Sequence, residues 1–280
     1  MKKPLTILSL YVAVAGLTIS CSSTAPTYLL KFKYIAGSVL SYDQTVKGTV
    51  TAKEKDSVTT DRVNTVTTRM EYTIRRIVDD TTFEVVQTAT SQSHSVSKID
   101  SVVVDTTENS PEITMYIAPS GRIQDMVMGG GKDGEHGAYW KEYFRQGTPV
   151  FPAQPVPVGH VWTQTFSVTV DGKPVSVSTT YTVSGIEKKQ GYDCIAIGYV
   201  GKMVIPFDAA PSDSSKRRGV DRISMNGVMY FAPKEGITVS QIEKWVLDGD
   251  RVKLVKGTEV AYTVAATYDV DMNLKGIKMP

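Results

Sequence analysis

The chain is predicted to be mainly β: two tandem duplicated antiparallel β units, each a curved sheet or half-barrel, joined by a Gly/Pro-rich segment with one short helix. Three observations predict this. From Tyr34 onward Val, Thr, Tyr and Ile dominate with a period of two, the pattern of strands with one wet and one dry face. Short blocks of the first half recur in the same order in the second. Between the halves, a stretch rich in Gly and Pro interrupts the alternation.

Length and charge set the limits. The 280 residues carry 31 Lys+Arg, 29 Asp+Glu and 41% hydrophobic residues, enough apolar material for a large core. Lys2 and Lys3 are the only charges before Cys21, so the remainder balances at 29 bases and 29 acids. A neutral body has no global basic field, and nucleic acid is excluded as a partner.

Residues 1–20 are read as a signal peptide. Met1-Lys2-Lys3 is a short basic start, Leu5 to Leu17 is mostly apolar, and Thr18-Ile19-Ser20-Cys21 follows. The apolar core is too short for a transmembrane helix, which needs about 20 residues. A Cys directly after a small residue resembles the bacterial lipoprotein signal, with Thr18 standing where that family usually has Leu. The resemblance implies that Cys21 becomes the acylated first residue, the one lipidation site. Each buried acyl CH₂ contributes about 0.8 kcal/mol, so two or three chains suffice as an anchor. Ser22, not Asp, follows the Cys; by resemblance to enterobacterial sorting this implies the outer membrane. No acidic run follows the Cys, as it does in some surface-exported lipoproteins, which implies the periplasmic face. Residues 21–33 are read as a tether, starting with the polar run Ser22 to Thr27.

The first β unit is assigned to 34–128. Over 65–75, Thr65, Thr67, Arg69, Glu71, Thr73 and Arg75 alternate with Val66, Thr68, Met70, Tyr72 and Ile74. Residues 129–154 form the connector: Gly129-Gly130-Gly131 opens a loop, Ala138 to Phe144 is a short helix with an aromatic face, and Pro149 and Pro152 begin a stiff lead outward that continues through Pro155 and Pro157. The second β unit is assigned to 155–280. There Trp162, Phe166, Val168 and Val170 alternate with Thr163, Thr165, Ser167 and Thr169, and Val260 to Met272 alternates cleanly. That last run of thirteen residues spans roughly 43 Å as a strand. Asp171-Gly172 and Asp248-Gly249 read as hairpin turns, and Pro206 to Gly219 as a long polar loop between strands.

The duplication rests on three blocks. Ala36-Gly37-Ser38-Val39-Leu40-Ser41 parallels Val158-Gly159-His160-Val161-Trp162-Thr163; Tyr72-Thr73-Ile74 parallels Tyr181-Thr182-Val183; Met115-Tyr116-Ile117-Ala118-Pro119 parallels Met229-Tyr230-Phe231-Ala232-Pro233.

Tests for chemistry nominate no catalytic residue, no metal site and no cofactor. Gly129-x-Gly131-x-x-Gly134 matches the dinucleotide fingerprint in letters, but that motif works only inside a βαβ unit. His94, His136 and His160 are scattered, and Asp133, Glu135 and His136 read as a solvated loop. His160 corresponds to Ser38, which points to a surface position. Ser95-Val96-Ser97-Lys98 fits S-x-x-K without its companion motifs. Cys194 corresponds to Val85 and reads as a small buried residue. Met70, Tyr72, Met115, Tyr116, Trp162, Met229, Tyr230 and Trp245 populate the apolar faces. They are a core in any reading, and equally suit the wall of an acyl-chain cleft.

The pattern Val158-Gly159-His160-Val161-Trp162, with Ala36-Gly37-Ser38-Val39-Leu40 as a copy lacking the Trp, resembles β-rich envelope lipoproteins of Gram-negative bacteria that repeat a V-G-x-x-W strand start. A more distant similarity is to periplasmic half-barrel lipid and lipoprotein carriers. These resemblances imply a non-enzymatic envelope lipoprotein, bound to the membrane by its N-terminal lipid, with a protein partner or a structural role. The alternative they imply is a carrier or sensor of a lipid-like ligand; a hydrolase with dispersed residues is the third. Cys21→Ala is expected to move the protein from the membrane pellet to the soluble periplasmic fraction on fractionation; retention in the pellet would refute acylation as the anchor.

Overall fold

The structure, a computed structural model, describes residues 26–55, 57–79, 81–129, 148–170, 173–208, 218–255 and 258–280. Among these the chain is strand and loop, with no helix. The helix expected at Ala138–Phe144 and the Asp171-Gly172 turn lie outside the described residues, as does Cys21.

The described residues form thirteen strands, in chain order β1 (Thr27–Tyr28), β2 (Val39–Glu54), β3 (Ser57–Val78), β4 (Thr82–Ser97), β5 (Val103–Ile117), β6 (Ile123–Met128), β7 (Val156–Pro157), β8 (Val161–Val170), β9 (Lys173–Lys189), β10 (Tyr192–Asp208), β11 (Arg218–Ala232), β12 (Ile237–Val255) and β13 (Thr258–Lys278). Eleven of them make one antiparallel sheet in the order β6-β5-β4-β3-β2-β13-β12-β11-β10-β9-β8, and β1 pairs with β7. Among the described residues the sheet is curved and open, with β6 and β8 at its two edges. Each half of the chain meanders strand by strand, which needs only hairpin connections. The two arms join where β2 pairs with β13.

Alternation along the strands sets the faces. The inner face carries Tyr42 of β2 opposite Met70 of β3, with Ala89 of β4 beyond. Met70 is 6% exposed and Ile74 fully buried, while Arg69 and Glu71 between and beside them are exposed. In β13 Val264 and Ala266 are buried while Ala265 and Thr263 are exposed, as the sequence pattern requires.

Matching landmarks recur in the two arms. Gly37 N–H donates to Ile74 O (2.7 Å) and Gly159 N–H to Val183 O (2.7 Å); in return Ile74 N–H reaches Ser38 O and Val183 N–H reaches His160 O, both at 2.9 Å. Gly37 and Gly159 have φ of 83° and 87°, a region that favours glycine. The ladder shifts register directly after Ile74 and directly before Ile197, the partner of Val183, and again between Tyr116 and Ile117 and between Tyr230 and Phe231.

The inner face is covered at one end by two connecting segments. Leu30 is 2% exposed, and the Phe32 ring contacts Tyr34, Phe151 and Phe231 at 5.2, 5.4 and 5.4 Å between centroids. Phe32 N–H donates to Pro119 O (2.7 Å) and Lys33 N–H to Gly236 O (3.1 Å), so this strip of chain bridges the β5–β6 turn of one arm and the β11–β12 turn of the other. Residues 27–33, read from sequence as the end of a tether, and the prolines of 149–157, read as a linker, are therefore packed parts of the body, with Phe151 and Val156 3% and 2% exposed. At the far end the sheet runs free: Val103 to Glu112 of β5 is exposed on both faces. A separate cluster of Val168, Val175, Val177, Met203 and Ile205 fills the curl of β8–β10.

Three local readings are corrected. Asp248-Gly249 is not a turn but lies in the middle of β12. A Cβ on Gly249 would stand 2.5 Å from Asp221 Oδ1, so the glycine makes room for the Asp221–Arg251 ion pair (2.6 Å). The loop read from Pro206 to Gly219 is shorter, because Pro206 to Asp208 pairs with Arg218 to Val220. Ser38 is buried and His160 half-buried against Trp162, so neither is the surface position expected.

Phe231, fully buried in contact with Phe32 and Phe151, joins the bridging segments to the sheet. Phe231→Ala is expected to cost about 3–5 kcal/mol in urea denaturation of the soluble Cys21→Ala protein. A loss below about 1 kcal/mol would mean the ring is not holding the cover in place.

Candidate ligand cavity

One register row crosses the second arm on its inner face: Trp162, Tyr181, Tyr199, Gly227, Glu243 and Val270 are successive partners from β8 to β13. Trp162 and Tyr181 stack at 5.1 Å and 15°, and Tyr181 meets Tyr199 at 5.9 Å. Trp162 is held by its indole N–H donating to Val150 O (3.1 Å), and Gln164 brackets the same segment through Val150 N–H and Thr148 O (each 3.1 Å). The row turns polar at Gly227. Lacking a Cβ, which would stand 2.5 Å from the Tyr199 hydroxyl, Gly227 lets the Tyr199 ring lie across β11 and reach β12.

There Gln241, Glu243 and Trp245 share one face by strand alternation. Gln241 Nε2 donates to the Tyr199 hydroxyl (3.0 Å) and also to Glu243 Oε1, and Trp245 Nε1 donates to Glu243 Oε2 (2.6 Å). On the first arm Tyr42 donates to Thr238 O (2.8 Å) and meets Tyr72 edge-on at 5.6 Å. Between the arms lies a cavity of about 510 Å³ floored by Phe32 and Tyr34. Its walls include six methionines, Met70, Met115, Met126, Met225, Met229 and Met272, contributed by both arms. Thioether side chains adapt to irregular apolar shapes.

Burial dominates the electrostatics. It raises the Tyr34 and Tyr42 hydroxyls well above their usual value and pushes Tyr72 up to about 12. Burial, then the Glu243 charge, pushes Tyr181 up to about 12, and the same two causes raise Tyr199 further. All five phenols therefore stay protonated donors at neutral pH.

A second, larger concavity of about 890 Å³ runs across β9 to β2, lined mostly by outward positions but also bordered by Tyr199, Gly227, Glu243 and Val270 of the same row. It is open and lined by Thr180, Thr182 and Thr45, with Lys47 and Lys244 each opposite Asp269 in the ladder. Its charges compensate one another along the strands, so it resembles an ordinary solvated face more than a ligand site. The inner cavity, apolar with few convergent polar groups, is the better candidate.

Of the residues singled out from sequence, Met70, Tyr72, Met115, Met229 and Trp245 line the inner cavity, and Trp162 begins the row. Tyr116 and Tyr230 do not. They follow the inward Met115 and Met229, so strand alternation turns them to the outer face, where Tyr230 lies under the Lys189 ammonium at 4.7 Å. Cys194 is fully buried in the same cluster as Val85, and burial raises its thiol pKa. His94 is exposed and bonds Asp105 (2.7 Å). Ser95 bonds Asn64 (2.6 Å) and Lys98 approaches Asp61 (3.7 Å), so the S-x-x-K letters are dispersed into local pairs. Asp133, Glu135 and His136 lie outside the described residues, and among the described residues no three His, Cys, Asp or Glu gather as metal ligands. Sequence reasoning missed Glu243, Gln241, Tyr181 and Tyr199. The signal for the first two was Gln-x-Glu-x-Trp at 241–245, polar residues on a strand face that ends in an inward Trp.

No protein-family model and no curated protein matches the chain. Among solved structures it is similar to lipovitellin, in a structure describing lipid–protein interactions, with 10% identity and a TM-score of 0.44 over 88% of this chain; the match spans 26% of lipovitellin, about a quarter of its length. It is also similar to an outer membrane channel from Pseudomonas putida F1 (7% identity, TM-score 0.28, 86% of this chain and 97% of that one) and to a mutant Rh. blastica porin (9%, 0.21, 82% and 99%). No helix among the described residues is long and apolar enough to cross a membrane.

The buried phenols generate a pH prediction. The folded chain holds hydroxyl protons that the unfolded chain releases above about pH 10, so the phenols' contribution to stability is expected to be constant up to that pH and to fall as it rises further. In alkaline titration followed at 295 nm, these tyrosines should ionise only together with loss of the β circular dichroism. Their smooth ionisation near pH 10 in a folded protein would contradict the burial.

Proposed function

We propose that the protein is a bacterial envelope lipoprotein, anchored through Cys21 on the periplasmic face of the outer membrane, that holds a lipid-like ligand between its two arms. The cavity walled by six methionines from both arms is the observation that carries this reading. Flexible thioethers and aromatic rings offer dispersion contacts to a chain of any shape, and the tyrosine hydroxyls, Gln241 and Glu243 orient a polar end. The role is non-enzymatic: a carboxylate held by neutral donors and phenols kept protonated by burial are groups suited to holding a ligand.

The matched turns, hydrogen bonds and register shifts support a duplicated unit, 34–128 and 155–280, with the ligand at the junction of the copies. A partner-binding role has its own support in β8. Among the described residues this edge strand of ten residues pairs along its backbone with β9 alone and carries neither charge nor Pro, the usual guards of an edge, whereas the other flank, in β5, carries Asp105, Glu108, Pro111 and Glu112. A protein strand adding to β8 is the second reading.

Native mass spectrometry of Cys21→Ala protein purified from its host's periplasm tests the first. A non-covalent adduct of lipid size that disappears on denaturation is expected. A bare chain would remove the support for a carrier, and periplasmic cross-linking from β8 would then test for a protein partner.

A further inference from the structure

We propose that the occupant of the cavity is a cationic amphiphile, its positively charged nitrogen against Glu243 and its hydrocarbon chain along the methionines; this rests on the carrier reading above. Among the described residues lining the cavity, Glu243 is the one acidic or basic side chain. Both of its oxygens accept bonds, but from the neutral amide of Gln241 and the neutral indole of Trp245. These donors orient the carboxylate and leave its charge uncancelled, and no cation pairs with it among the described residues.

The same strand supplies the contrast. Eight residues further along the inner face of β12, Arg251 meets the buried Asp221 through two nitrogens at 2.8 and 2.6 Å. Where an inward carboxylate serves the fold, its counter-ion is built in. At half-buried Glu243 that place is left to the ligand, whose arrival would take the carboxylate out of water and supply the partner this requires.

The surroundings select the kind of cation. Trp245 follows two positions along the same face, and Tyr199 comes across from β10 over Gly227. Aromatic faces beside a carboxylate favour a weakly hydrated ammonium with carbon substituents, which gains cation–π attraction as it loses water.

The test is isothermal titration calorimetry of delipidated Cys21→Ala protein with three ten-carbon probes below their micelle concentrations: decyltrimethylammonium, decanol and decyl sulfate. The cation is expected to bind roughly tenfold or more tighter than decanol, with the sulfate weakest. Glu243→Gln should bring the cation down to the decanol level and leave decanol unchanged, while Glu243→Asp keeps part of the preference. Equal affinities for all three probes, or an unchanged preference in Glu243→Gln, would overturn the head-group assignment and leave the apolar carrier standing. Absence of binding by every probe would overturn both. Melting curves verify that the variants fold; if Glu243→Gln does not, weakening of wild-type cation binding by salt, with decanol unaffected, decides the assignment.

Discussion

Everything in this molecule depends on covering the inner face of an open sheet. Eleven antiparallel strands bend around a hollow, and a sheet that does not close has no opposite wall to bury its apolar side chains. The cover comes from the chain's own connecting segments. Phe32 and Lys33 donate backbone hydrogen bonds to the β5–β6 turn on one arm and the β11–β12 turn on the other. The Phe32 ring meanwhile seats between Phe151 and Phe231. The hydrogen bonds hold the arms at one separation, and the rings exclude water from beneath them. Phe32 and Tyr34 also floor the cavity, so the contact that completes the core sets the depth of the site.

Above that floor, strand register does the rest. Tyr181, Tyr199 and Glu243 come from three strands, and cross-strand pairing places them in one row. The missing side chain at Gly227 lets a tyrosine cross a whole strand and bond to Gln241. The result is an apolar hollow with a narrow polar end, shaped by methionines that tolerate many outlines. Toward the far rim the first arm becomes polar and exposed, while the second arm curls over its own valine and isoleucine cluster. The two arms share landmarks at the covered end and diverge at the open one.

Much of the fold was legible because a strand side chain has only two directions. Alternation from Thr65 to Arg75 and from Val260 to Met272 suffices to assign faces. Cys194 is buried as its residue type suggests, but it is not the counterpart of Val85: Val85 pairs with Ile74 and Met115, and their counterparts Val183 and Met229 pair with Ile197. The errors came where a local signal had a tertiary cause. Asp-Gly at 248–249 has the letters of a hairpin turn, yet its glycine answers to Asp221 on the neighbouring strand. Tyr116 and Tyr230 look like core residues by type, but a one-residue step sends them to the other face.

By itself the sequence determined that the protein is built of long, two-faced strands, because period-two alternation encodes burial one residue at a time. It also carried the arms' shared landmarks and the buried thiol, which are local properties of short segments. Only the tertiary structure decided the open strand order, the bridging of the arms by residues 30–34, and the meeting of Glu243 with the methionines. These are facts about which distant residues become partners. They follow from register, curvature and the space left by single glycines, none of which is written in the residues of any one strand.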